Sequence, residues 1–79
     1  MTVEDIFNVI KTHACEVLPV LKEHGFQMTD SLKDLGANSI DRSEIVMMTM
    51  ETLSLHIPLI EIASAENMGE LASLLHAKS

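Results

Sequence analysis

The sequence predicts an all-α fold, a small helical bundle with three main helices and one short helix, on three observations. Apolar residues fill 47% of the 79 positions while aromatics fill 3%, leaving Leu, Ile, Val, Met and Ala to build the core. That set suits small helices better than a sheet rich in β-branched and aromatic residues. Apolar positions recur at helical intervals, and the helical segments open at residues able to cap a helix. The length suits one domain spanning 1–79, near the lower limit at which a core stabilises a fold unaided.

Thr2 followed by Asp5 forms a cap signal, after which Val3, Phe7, Ile10, Ala14, Val17 and Leu21 recur at alternating intervals of four and three residues. Pro19 lacks an N–H and crowds the preceding turn, so the first helix ends or kinks there, and Val20 to His24 become a separate short turn that stops at Gly25. From Phe26 to Asn38 the period is lost. This reads as a long connection anchored by Phe26, Met28, Leu32 and Leu35, with Asp30 or Ser31 capping a brief turn through Asp34.

The second helix is expected from about Ile40 to Ser54. At ~100° per residue, Ile45, Val46, Thr49 and Leu53 fall on one side and Ile40, Glu44, Met47 and Glu51 on the other, flanked by Asp41 and Met48. A purely solvated face would not carry this much apolar surface, so acids alternating with Ile and Met point to recognition. The plainer reading is that the six methionines fill the core and the acids serve solvation. Pro58 is placed to open the short helix through about Ile62. Asn67 then precedes Glu70 in a cap pattern, with Leu71, Leu74 and Leu75 on the apolar side of the last helix.

A formal charge of −7 with only five Lys and Arg argues against nucleic-acid binding and favours basic protein partners. A lone Cys15 forms no internal disulfide, early acids at Glu4 and Asp5 oppose a signal peptide, and no run is apolar enough for a membrane span; the expected location is cytoplasmic. His13 and Cys15 point to different sides of a helix, and His24, His56 and His76 lack zinc spacing, so no metal site is expected. Calcium-loop, phosphate-loop and dinucleotide patterns are absent, and no histidine has an evident route to a serine triad. A non-catalytic protein follows.

The richest segment is Leu35-Gly36-Ala37-Asn38-Ser39-Ile40-Asp41. Gly36 accepts backbone angles closed to other residues, Asn38 favours a turn, and Ser39 sits at a helix start with its oxygen exposed. Two readings stand: Ser39 caps the helix, or its hydroxyl bears a phosphate that would lie beside free N–H groups at the positive end of the helix dipole.

Together with Asp30-Ser31-Leu32, Glu44 and Glu51 in a short acidic chain, this segment resembles an acyl carrier protein, and the string Gly-Ala-Asn-Ser-Ile-Asp-Arg resembles freestanding polyketide carriers that donate acetyl for β-branching. The resemblance implies that Ser39 carries covalent 4′-phosphopantetheine, placed there from coenzyme A by a phosphopantetheinyl transferase. It matches Asn38, Ile40, Asp41, Glu44, Met47 and Glu51 to partner-binding positions. It further implies a monomer served by an acyltransferase, a ketosynthase-like decarboxylase that turns malonyl into acetyl, and a hydroxymethylglutaryl-synthase-like acceptor. Asn38 departs from the usual acid, Met50 stands where fatty-acid carriers often have one, and Arg42 adds a cation that tunes partner choice or pairs with a nearby acid. An aminoacyl or peptidyl carrier and an unmodified helical adaptor are the alternatives.

Overall fold

The computed structural model describes Met1–Ser79 and contains helices without strands. Helix α1 spans Val3–Val17, α2 Ser39–Leu53 and α3 Met68–Ala77, with 3₁₀ helices at Pro19–Glu23 and Leu59–Glu61. The expected short helix is therefore the second 3₁₀ segment, opened by Pro58, and the turn expected after Pro19 is the first.

Helix α1 begins with the capping box foreseen at Thr2 and Asp5: Asp5 N–H donates to Thr2 Oγ1 at 3.1 Å and Thr2 N–H to Asp5 Oδ2 at 2.9 Å. It packs against both α2 and α3 and lays Ile6, Phe7, Ile10 and Ala14 into the core. Ile6, absent from the stripe read off the sequence, is almost wholly buried. From α2 come Ile45, Thr49 and Met50, and from α3 Met68, Leu71, Ala72 and Leu75. Thr49 satisfies its buried hydroxyl on the Ile45 carbonyl at 2.8 Å, so one polar side chain enters the core without an orphaned group. Cys15 packs against the core, half-buried.

The connection before α2 is more ordered than its lost period implies. Ala37 N–H donates to Leu32 O at 3.0 Å and Gly36 N–H to Lys33 O at 3.1 Å, a Schellman closure with Gly36 at φ 107°. That reversal buries Ala37 and releases the chain at Asn38. The same connection docks on α3: Met68 N–H donates to Asp30 O and Gly69 N–H to Met28 O, both at 2.8 Å. A Cβ at position 69 would stand 2.9 Å from Met28 O, so glycine is required for this approach.

Asp30 fastens the connection's other end, accepting Gln27 N–H at 2.8 Å and lying 2.9 Å from His24 Nε2. The Gln27 amide first, and His24 second, hold its carboxyl below the usual carboxylate range; for Asp5 the Thr2 backbone N–H leads, then the Thr2 side chain. Carboxylates depressed in the folded state add stability that is present above the unfolded value, near 3.8, and disappears as pH falls through the lower folded value. Thermal melts taken from about pH 6 down to about pH 3 should therefore drop more steeply for the wild type than for an Asp5→Asn/Asp30→Asn variant. Parallel curves would show that these two groups do not set the acid limit.

Candidate functional site

The site is built where the Gly36 reversal meets α2. The helix is capped by Asn38, one residue before the position at which the simpler reading placed the cap. Asp41 N–H donates to Asn38 Oδ1 at 2.8 Å and Asn38 N–H to Asp41 Oδ2 at 3.3 Å, a reciprocal box that also orients Asp41. Asn38→Ala should destabilise the protein by about 1 kcal/mol, and Asn38→Asp should not, because the aspartate oxygen can still cap. Urea unfolding of the two variants checks this, and equal loss in both would move the role of Asn38 away from capping.

Because Asn38 does the capping, the exposed Ser39 at the first helical position has its hydroxyl free of that task. Asn38 and Asp41 use their own N–H groups in the box, and Arg42 N–H starts the helical ladder on Asn38 O at 2.9 Å. The Ser39 and Ile40 amides have no acceptor within the chain. Two free donors thus stand beside the Ser39 oxygen, at the positive end of α2.

Ser39 also lies at the edge of a cleft of about 520 Å³ between the start of α2 and the segment leading into α3. Leu32, Val46, Ile62 and Leu71 give it an apolar lining. Lys33 and Arg42 supply cations at the same cleft, and Glu66 an acid. Contrary to the pairing considered from the sequence, Arg42 bonds no acid: its Nη1 donates to the Ala37 carbonyl at 2.7 Å, bracing the turn that presents Ser39.

Along α2, Ile40 is 74% exposed and Met47 57%, with Glu44 and Glu51 exposed beside them. These four share the outward face as expected, while half-exposed Asp41 lies at its start. Met50 turns inward and is 9% exposed, so it belongs to the core and not to the acidic surface with which it was aligned. His13, unassigned from its sequence position, bridges helices: Nδ1 lies 2.7 Å from Glu16 Oε1 and Nε2 2.7 Å from Thr52 Oγ1. Nothing local in the sequence announces that contact, because its partner is on α2.

The phosphopantetheine attachment site family matches residues 8–75. The chain belongs to this acyl carrier family. It is 50% identical over 78 residues to the polyketide biosynthesis acyl-carrier-protein AcpK of Bacillus subtilis (strain 168), covering 99% of this chain and 95% of that protein. A chain in the crystal structure of the curacin biosynthetic pathway HMG synthase in complex with acetyl donor-ACP is also similar. It aligns with a TM-score of 0.95 at 50% identity over 99% of this chain and 100% of its own length. Carriers of this family bear a covalently attached 4′-phosphopantetheine and are generally non-catalytic. An exposed hydroxyl, two unpaired amides and nearby cations fit that group's phosphate, and the apolar cleft fits its chain. No helix of this carrier is long and apolar enough to cross a membrane.

Proposed function

We propose that Ser39 Oγ bears the 4′-phosphopantetheine and that this carrier supplies acetyl for β-branching in polyketide biosynthesis. One observation carries the reading: the full-length likeness, at 50% identity, to a chain of the acetyl donor-ACP complex with HMG synthase. The site agrees with it, since Ser39 has an exposed hydroxyl that the Asn38 cap leaves available.

Loading would form a bond from Ser39 Oγ to the phosphorus of the pantetheine phosphate and break the pyrophosphate link of coenzyme A, with adenosine 3′,5′-bisphosphate as the leaving group. A phosphopantetheinyl transferase provides the base that takes the hydroxyl proton. The chain's part is presentation. Asn38 fixes the helix start, Gly36 and Ala37 deliver Ser39 to the surface, and the unpaired Ser39 and Ile40 amides would stabilise the phosphate's negative charge. When bound, the group supplies a terminal thiol that holds the acyl unit as a thioester. On this reading the loaded carrier would take malonyl from an acyltransferase, a ketosynthase-like decarboxylase would convert it to acetyl with loss of carbon dioxide, and a hydroxymethylglutaryl-synthase-like enzyme would accept the acetyl group.

Docking falls to the outward face of α2. Ile40 and Met47 are apolar anchors, while Asp41, Glu44 and Glu51 surround them with negative charge. Such a face suits an enzyme with basic residues around apolar pockets, bound strongly enough to deliver and weakly enough to release. The neutral Asn38 side chain removes a charge at the attachment point and so helps separate this carrier's partners from those of acidic-motif carriers.

Co-expression with a broad-specificity transferase should add one pantetheine-sized mass. The loaded protein should then pass acetyl, and not an aminoacyl group, to an HMG-synthase-like enzyme. Aminoacyl transfer would replace the polyketide reading with that of a peptidyl carrier, and a permanently bare chain would leave only an adaptor.

A further inference from the structure

The only arginine in the chain stands three residues after Ser39, lines the same cleft and has no acidic partner. We propose that Arg42 holds the phosphodiester of the Ser39-bound arm against the start of α2, and so sets the direction in which the arm leaves the protein. This rests on Ser39 being the attachment residue.

Several observations converge on Arg42. Its Nη1 is fixed on the Ala37 carbonyl, a neutral acceptor, so the side chain is oriented while its charge stays uncompensated. A guanidinium has five N–H donors in a planar fork, and most remain available for a phosphate. Residues three apart on a helix are neighbours, and Arg42 and Ser39 line the same cleft. Lys33, also exposed and outside the three ion pairs of the chain, contributes a second cation at the cleft. The competing acids are few. Position 38 is an amide, Asp41 turns one oxygen to the Asn38 N–H, and Glu66 belongs to the segment across the cleft from α2. In a chain of net charge −7 this is a local concentration of positive charge, next to two unpaired amides.

The consequence is directional. A phosphodiester held by Arg42 lays the first part of the arm along the cleft and away from the face bearing Ile40 and Met47. Docking surface and cargo are then kept apart until a partner competes for the phosphate.

The test uses the full chain in its loaded form. Phosphorus NMR of wild type and Arg42→Gln should show different phosphodiester resonances, the wild-type signal moving with added salt and the variant signal staying near the position of the same phosphodiester in the urea-unfolded loaded chain. Arg42→Lys should lie between them, because an ammonium keeps the charge and loses the fork. A second measurement needs no variant: the Arg42 Nε–H signal should shift between the unloaded and loaded wild type. Identical phosphorus resonances in wild type and Arg42→Gln, or an Arg42 signal indifferent to loading, would overturn the proposal. Failure of the wild type to gain the arm at all, seen as unchanged intact mass, would instead overturn the assignment of Ser39.

Discussion

Ser39→Ala is expected to abolish loading completely while leaving the helices in place. With Ser39 as the proposed attachment residue, transfer of the arm requires its oxygen nucleophile, and no amount of docking energy replaces a missing atom. The fold has little reason to respond. Ser39 is exposed, the cap belongs to Asn38 and Asp41, and alanine is the best helix former at a position whose side chain packs against nothing essential. The change should fall within about 0.5 kcal/mol, as for other surface substitutions. Intact mass after incubation with transferase and coenzyme A reads the first outcome, and thermal melting followed by circular dichroism reads the second. A pantetheinylated alanine variant would move the attachment to another serine, whereas an unfolded one would give Ser39 a structural duty in place of a purely chemical one.

Reversing charge at Glu44 and Glu51 together should weaken binding to the HMG-synthase-like enzyme at least tenfold, equivalent to about 1.4 kcal/mol. Both side chains are exposed and neither takes part in an ion pair within the chain, so the substitution would remove attraction and add repulsion at the proposed docking face without breaking internal ion pairs. Electrostatic docking is screened by salt, with a screening length of about 8 Å at physiological ionic strength. The wild-type affinity should therefore fall as salt rises, and the doubly reversed variant should lose that dependence or invert it. Titration calorimetry at two salt concentrations, with melting curves as the folding control, measures both effects. Unchanged affinity would take Glu44 and Glu51 out of the interface and shift the weight of recognition onto Ile40 and Met47.

The sequence carried the helices because their signals are local. Thr2 with Asp5 and Asn67 with Glu70 make the hydrogen bonds their spacing implies, and Pro19 and Pro58 stand at the helix boundaries where their missing N–H groups require them. The outward placement of Ile40, Glu44, Met47 and Glu51 followed from helical periodicity alone. Where two neighbouring residues could both cap, spacing did not choose between them. Asn38 caps because its side chain meets Asp41 three positions on, and that choice leaves Ser39 free for chemistry.

Other features depended on chain segments meeting across the fold. Periodicity placed Met47 outside but left Met50 unassigned, and the packing of α2 against α1 makes Met50 part of the core. The aperiodic connection gains order by pairing its Met28 and Asp30 carbonyls with the amides of Gly69 and Met68, at a closeness glycine alone permits. Arg42 found a carbonyl instead of an acid because the Gly36 reversal brings Ala37 O within its reach. Helix formation and capping are decided within a few residues, so composition and spacing determine them. Burial, cleft formation and the pairing of distant backbone groups are set by how the helices pack, and no residue carries that geometry by itself.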